Sequence, residues 1–296
     1  MKAHAEPSTD ASPARKPTDD EIDVYGLTHP GKVREVNQDN FLLASLRKRM
    51  EVHRTSLPEA SQLKLEDDRL AFLAMIADGV GGGEKGEVAS RVALEQVTQY
   101  VTQSVRSYYG ADAQAASFIE VLEAAAMETH AQVLQRAAAD RSLKGMATTL
   151  TVWIGVWPWT YVLQVGDSRY YVYREGELHR ITRDQTMAQE LVDAGVLTRT
   201  DAFNSRLANV LSSAIGGSQT APVVTRLQSD WRNVHLLCSD GLTKHVSDER
   251  IAERLAAMTS AKQVCEGLLQ DALDDGGTDN VTIIVGRAVR KDQQGR

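Results

Sequence analysis

The sequence predicts an α+β fold, a layered sandwich of antiparallel sheets flanked by paired helices. Two observations lead there. Strand-like and helix-like segments are segregated in the order strands, a helix pair, many strands, a second helix pair and a closing strand, which opposes a regularly alternating βαβ chain. Several apolar runs also end in an aspartate, three of them at an Asp-Gly or Gly-Asp turn, so acids can collect at one sheet edge. The 296 residues, 42% of them hydrophobic, suffice for one large domain, and no internal repeat divides the chain.

Taken in order, residues 1–20 are rich in Pro, Ala, Ser, Thr and charge and are expected to form a disordered tail. The domain is expected over 21–288, followed by a short tail of 289–296. Residues 22–28 and 40–44 read as a strand pair around a loop. The polar segment 46–68 exceeds an ordinary connection and reads as an insertion or a loop, after which 70–77 resumes as a buried strand. Helix 84–106 is predicted from Val88, Val92, Val97, Val101 and Val105 near a 3.6 period, and helix 114–139 from Phe118, Val121, Leu122, Ala125 and Val133. Strand runs follow at 148–156, 160–166, 169–174 and 177–181, with Glu175-Gly176 fitting a tight hairpin turn. Residues 184–215 are mixed and partly helical. Strand 233–239 precedes a helix opened by Ser247, with Asp248 and Glu249 in its first turn. Helix 260–273 carries Val264, Leu268 and Ala272 on one face, and strand 281–287 closes the domain.

Charge and composition exclude several classes. The 33 basic and 40 acidic residues give a net charge of -7, which argues against a nucleic-acid partner, since phosphate binding needs a basic face. No apolar run approaches the ~20 residues of a membrane span, and no signal-peptide segment opens the chain. A cytoplasmic monomer without a membrane partner is expected. Cys238 and Cys265 lie in apolar surroundings without a Cys-Cys spacing motif and are expected as reduced core residues. His235 alternates with apolar neighbours and is expected as a satisfied core histidine.

The chemistry gathers on the acids. Asp78, Asp167, Asp240 and Asp279 each adjoin an apolar strand-like run. Convergent carboxylates repel one another unless a hard cation lies between them, so the pattern reads as a divalent-metal site. In Ala77-Asp78-Gly79-Val80-Gly81-Gly82-Gly83 the glycines allow close backbone approach. This loop lacks the Gly-Lys-Ser/Thr ending of a P-loop and the alternating context of a dinucleotide fold. Arg34 precedes Asp39 by five residues, and its guanidinium could hold phosphate oxygens in a bidentate fork.

Six segments appear in order: Arg34 to Asp39, Asp78-Gly79-Val80-Gly81-Gly82, Thr148-Thr149, Gly166-Asp167-Ser168-Arg169, Ser239-Asp240-Gly241 and Asp279-Asn280-Val281-Thr282. Together they resemble the metal-dependent Ser/Thr protein phosphatases of the type-2C family in its bacterial form, over roughly residues 22–287. The resemblance implies a four-layer α-β-β-α sandwich with two central antiparallel sheets and a centre of two Mn²⁺ or Mg²⁺ ions at one end. Asp78 would bridge both ions and Gly79 would ligate through its carbonyl. Asp240 and Asp279 would complete the first ion's protein ligands, and Asp39 would support the second. Asp167 would help hold a third, weaker ion, and Arg34 would bind the substrate phosphate. Gln38 and Asn280 are accessory, and 184–210 corresponds to a variable flap beside the site. The implied reaction is hydrolysis of phosphoserine and phosphothreonine in proteins, opposing a Ser/Thr kinase. Two cations roughly 3.5–4 Å apart would activate a water for in-line attack without a phosphoenzyme. Oxygen ligands favour Mn²⁺ or Mg²⁺ over zinc, and none of the seven histidines forms a close pair.

Two positions depart from the family. Gln38 stands where many members have Glu, and 78–87 contains no His for a general acid. These departures keep two alternatives open: a catalytically weak or inactive binding module on the same fold, and a phosphatase dedicated to one regulator in a partner-switching system.

Overall fold

The structure, a computed structural model, describes residues 15–49, 51, 52, 54, 67–82, 84–104, 115–203 and 205–291. Its elements are β1 (Ile22–His29), β2 (Asp39–Arg49), β3 (Asp67–Val80), α1 (Lys85–Gln103), α2 (Ala115–Ala139), β4 (Ala147–Thr148), β5 (Leu150–Val156) and β6 (Trp159–Val165). There follow β7 (Arg169–Arg174), β8 (Glu177–Arg180), α3 (Met187–Asp193), α4 (Arg199–Phe203), β9 (Val223–Gln228) and β10 (Val234–Cys238). The chain closes with α5 (Asp240–Thr243), α6 (Asp248–Ala256), α7 (Ala261–Asp274) and β11 (Val281–Ala288).

Two antiparallel sheets form the centre. One has the order β1-β11-β10-β7-β8, the other β2-β3-β5-β6-β9, with β4 paired to β3. The α+β sandwich expected from the segregated pattern is the observed fold. Helices α1 and α2 cover the second sheet, where Val92, Val97 and Leu122 pack with Met75, Leu150 and Leu163. Helices α6 and α7 cover the first, where Ile251, Val264 and Leu268 pack with Leu236, Ile283 and Val285. Each such fully buried side chain contributes about 1.5–3 kcal/mol. A smaller cluster, including Ile76, Tyr170, Leu237 and Ile284, joins the two sheets face to face.

Local chemistry explains the boundaries. Ser247 and Ser260 cap α6 and α7, accepting from the Arg250 and Gln263 amides at 3.3 and 3.1 Å. Glu175 and Gly176 both have positive φ, 55° and 89°, the backbone of a type I′ hairpin turn between β7 and β8. Cys238 and Cys265 are free and buried, and burial pushes both thiols up to about 12.

The structure differs from the sequence reading in three places. Arg15 to Asp20, expected within a tail, are held on the domain: Arg15 pairs with Glu21 at 2.6 Å and lies 5.0 Å from the Trp231 ring, whose Nε1 donates to the Arg15 carbonyl at 2.8 Å. At the other end, the Val289 amide donates to the Glu21 carbonyl at 2.7 Å and Arg290 also faces Trp231 at 5.2 Å. Strands β2 and β3 extend through 46–49 and 67–69 of the expected insertion, continuing their ladder past a register shift at Leu46/Arg47. Most of 46–68 lies outside the described residues. Strand β9 was not anticipated. Its Thr225, Arg226 and Gln228 dilute the apolar pattern because it is an edge strand, paired among the described residues only with β6.

Candidate metal centre

Sheet topology brings the acids to one end. Asp39 opens β2 and pairs across the ladder with Asp78, near the end of β3. Asp167 lies in the β6–β7 turn, Asp240 starts α5 just after β10, and Asp279 stands two residues before β11. Because β10 and β11 are antiparallel, the end of one meets the start of the other, and Asp240 and Asp279 face a common cleft. That cleft has a volume of about 890 Å³ and is also lined by Arg34, Asp78, Gly79 and Asp167. Asp39, only 3% exposed, lies behind the lining, paired across the ladder with Asp78.

Backbone anchoring holds these residues in place. The Asp78 carbonyl accepts from the Thr149 amide and the Thr148 hydroxyl, each at 2.8 Å, while the Asp78 amide donates to Thr149 Oγ1 at 3.0 Å. Thr148 and Thr149 therefore fix the height of Asp78 in the sheet. Gly79 is required by proximity: a Cβ there would stand 2.2 Å from the Gly86 carbonyl oxygen at the start of α1. Asn280 is buried, donates to the Pro30 and Val36 carbonyls at 3.0 Å, and accepts from the Gln38 amide at 2.9 Å. It thereby ties the loop carrying Arg34 and Gln38 to the start of β11. Gln38 Nε2 donates to the Gly81 carbonyl at 3.0 Å.

Electrostatics separate the acids into two groups. Burial pushes the Asp39 carboxyl up to about 6, against a 2.7 Å hydrogen bond from Thr282. Burial, then the charges of Asp39, Asp240 and Asp167, raise Asp78 well above the carboxylate range. Burial and Asp240 do the same to Asp167. Asp279 goes the other way. Burial raises it, but Lys244 and Arg34 outweigh that and hold it below its usual value. Lys244 Nζ lies 2.5 Å from Asp240 Oδ2 and 2.7 Å from Asp279 Oδ2, and Arg34 Nε lies 2.9 Å from Asp279 Oδ1. Burial disfavours the Lys244 charge, yet the two aspartates more than compensate and keep it protonated.

Among the described residues, no three His, Cys, Asp or Glu side chains stand close enough together to form a ready-made cation cage. The reason is visible in the ion pairs: Lys244 and Arg34 draw Asp240 and Asp279 onto themselves. The donor chemistry nevertheless fits a divalent ion. Asp39 Oδ1 is buried without a hydrogen-bond partner, and three carboxylates are disfavoured as anions by burial and mutual repulsion, the condition a hard cation relieves. Every side-chain donor is oxygen, which suits Mn²⁺ or Mg²⁺. The structure brings Arg34, Asp78, Gly79, Asp167, Asp240, Asp279, Gln38 and Asn280 to one cleft, with Asp39 behind it. Lys244 was missed by sequence reasoning, although its i,i+4 spacing from Asp240 at a helix start signals a shared face. The expected flap is built from α3, α4 and a 3₁₀ turn at Arg206–Asn209, and Asn209, Val210 and Leu211 reach the cleft rim.

Comparison with known proteins agrees with this architecture. The sequence pattern of protein phosphatase 2C matches residues 60–275. The serine/threonine protein phosphatase PstP of Mycobacterium tuberculosis is 33% identical over 222 residues, 75% of this chain but 41% of that protein, so the chain spans about two fifths of that relative's length. The serine/threonine phosphatase stp of Listeria monocytogenes is 29% identical over 215 residues, 72% of this chain and 83% of that protein. The crystal structure of the PstP catalytic domain in complex with two manganese ions superimposes with a TM-score of 0.71 at 29% identity, covering 91% of this chain and 99% of that one. No helix among the described residues is long and apolar enough to cross a membrane. With the fold, the ordered motifs and the family pattern in agreement, the chain belongs to the protein phosphatase 2C family.

Proposed function

We propose that this protein is a metal-dependent protein serine/threonine phosphatase, hydrolysing phosphoserine and phosphothreonine in proteins modified by a Ser/Thr kinase. The observation that carries the reading is the set of carboxylates gathered at one cleft, Asp39 and Asp167 buried and Asp78 half-buried, whose ionisation is suppressed there. Asp78, the Gly79 carbonyl, Asp240 and Asp279 would hold the first ion, Asp39 and Asp78 the second, and Asp167 an accessory one. Bound divalent metal would supply a water of lowered pKa and neutralise phosphoryl oxygens.

The chain's own residues do the rest. Arg34 has a side chain 56% exposed and is tethered to Asp279, so its guanidinium is placed to exchange that partner for a substrate phosphate. Asn280 fixes the loop from which Arg34 projects. Thr282 orients Asp39, and Thr149 keeps Asp78 at the cleft surface. Val80, Val210 and Leu211 give the cleft apolar walls against which the residues beside a phosphoserine would lie.

The test is release of phosphate from a phosphothreonine peptide by the purified full chain. Activity should require Mn²⁺ or Mg²⁺, and Asp240→Asn should lower it by about 10²–10³-fold, as for loss of one charge-stabilising group. A well-folded protein inactive with both ions would overturn the proposal.

A further inference from the structure

At the end of the sandwich away from the acids, a cavity of about 110 Å³ lies between the two sheets. Val24, Phe72, Trp153, Leu237 and Ile284 form its walls, His235 is set among them, and Lys16, Arg69 and Asp230 form its polar end. The proposed phosphatase chemistry uses none of these residues.

His235 is the informative group. Trp153 Nε1 donates to the Tyr170 hydroxyl oxygen at 3.2 Å, and that hydroxyl lies 2.7 Å from His235 Nδ1. No other acceptor for the Tyr170 proton is found among the described residues, so the tyrosine donates to Nδ1. Burial pushes the imidazole down to about 4, so the ring is neutral. A neutral ring that accepts at Nδ1 carries its proton on Nε2, a tautomer assigned here by the hydrogen-bond network. Among the described residues Nε2 has no partner. The sequence expectation of a satisfied core histidine thus holds for one nitrogen and fails for the other. A single N–H donor is left at the wall of an otherwise apolar space.

The charged groups nearby are already neutralised. Lys16 Nζ pairs with Asp68 at 2.7 Å, and Arg69 bonds Asp19 and the Pro17 carbonyl. Arg287, also in the lining, pairs with Asp23 at 3.2 Å, so among the described lining residues no cation is left over for an anionic ligand. The volume is of the order that admits one aromatic ring, since an apolar cavity of about 150 Å³ takes benzene. Phe72 and Trp153, edge to face with centroids 6.4 Å apart, offer ring surfaces to it.

We propose that this cavity binds a small uncharged molecule of ring size carrying one hydrogen-bond acceptor oxygen, a phenol- or ketone-like ligand, with that oxygen on His235 Nε2 and its apolar body between Phe72 and Trp153. The ligand sits on β3, β10 and β11, the strands that carry Asp78, Asp240 and Asp279 at their far ends.

The experiment is ¹⁹F NMR of the full chain with 4-fluorophenol and fluorobenzene as probes. Saturable binding of both is expected, displaced by unlabelled phenol. Ala74→Leu, which fills the space from the β3 side, should abolish it, with circular dichroism confirming the fold. Ala288→Phe serves the same purpose from the β11 side where Ala74→Leu does not fold. His235→Phe should keep fluorobenzene binding and weaken 4-fluorophenol roughly 5-fold, the value of one hydrogen bond. Absence of saturable binding to the unaltered protein would mean that the space holds only water and would overturn the proposal. Binding that persists unchanged in a folded cavity-filling variant would also overturn it. An equal effect of His235→Phe on both probes would overturn the assigned role of Nε2.

Discussion

At the acid-bearing end of the sandwich, burial first and neighbouring carboxylates second suppress the ionisation of Asp39, Asp78 and Asp167. At the other end, Val24, Phe72, Trp153 and Ile284 line a space onto which His235 Nε2, without a partner among the described residues, faces. The same strands run between the two, so the difference comes from side chains and not from backbone. One end is polar beyond what its own hydrogen bonds satisfy, and the other is apolar beyond what its own atoms fill. Both depart from the close packing and complete pairing that serve stability alone. The lesson is that function is legible where a fold leaves something unsatisfied.

The comparison breaks if the two ends respond alike to perturbation. The largest stability effect is expected in the apolar end. Ile284→Ala should cost about 2–5 kcal/mol in denaturant unfolding while leaving Mn²⁺ affinity of the folded protein unchanged by calorimetry. A matching loss of affinity would mean that the ends are not separable. The acid end should show itself in pH dependence. Asp39 has a folded value of about 6, above its unfolded value of 3.8. Its contribution to stability is therefore complete below about pH 4 and is lost as pH rises through 6. With a chelator present, melting curves should reveal a decline over that window, made smaller in Asp39→Asn and retained in part through Asp78 and Asp167, which burial also raises. A flat profile in the unaltered protein would contradict the assigned burial penalty.

Two smaller effects sharpen the contrast. Lys244 places an ammonium between Asp240 and Asp279, so Lys244→Met should tighten Mn²⁺ binding by up to about tenfold, or about 1.4 kcal/mol. Unchanged or weaker binding in titration calorimetry would show that the lysine does not compete with the ion. At the opposite end, Arg15→Ala removes the half-exposed partner of the buried Glu21 carboxylate and a ring contact beside Trp231. The Thr18 amide and hydroxyl still donate to Glu21, so the melting temperature should fall by about 2–4 °C, with no change in activity.

Much of this was legible in the residues themselves. Asp78, Asp167, Asp240 and Asp279 announce themselves because apolar runs lead up to or away from them, and the segregated order of strands and helices is enough for the α+β sandwich. Local chemistry was readable too, as at Ser247 and at Glu175-Gly176. Features that depend on distant pairing were harder. Lys244 has an ordinary surface-lysine context until Asp279, 35 residues later, is placed beside it. Strand β9 is an edge with a mixed pattern, and its identity comes from β6. Residues 15–20 resemble a tail in composition, yet Trp231 and Glu21 give them partners. The cavity has no sequence signal, because it is defined by what two sheets fail to fill.

The ladder between β1 and β11 carries a consequence for biosynthesis. β1 occupies a sheet edge and, among the described residues, pairs only with β11, with Ile22 opposite Ala288 and His29 opposite Val281. As the polypeptide leaves the ribosome, at about 5–20 residues per second, β1 emerges long before β11, the strand it pairs with. Asp279 arrives in the same stretch as β11. The nascent chain therefore cannot assemble its acidic centre until Asp279 and β11 have been made.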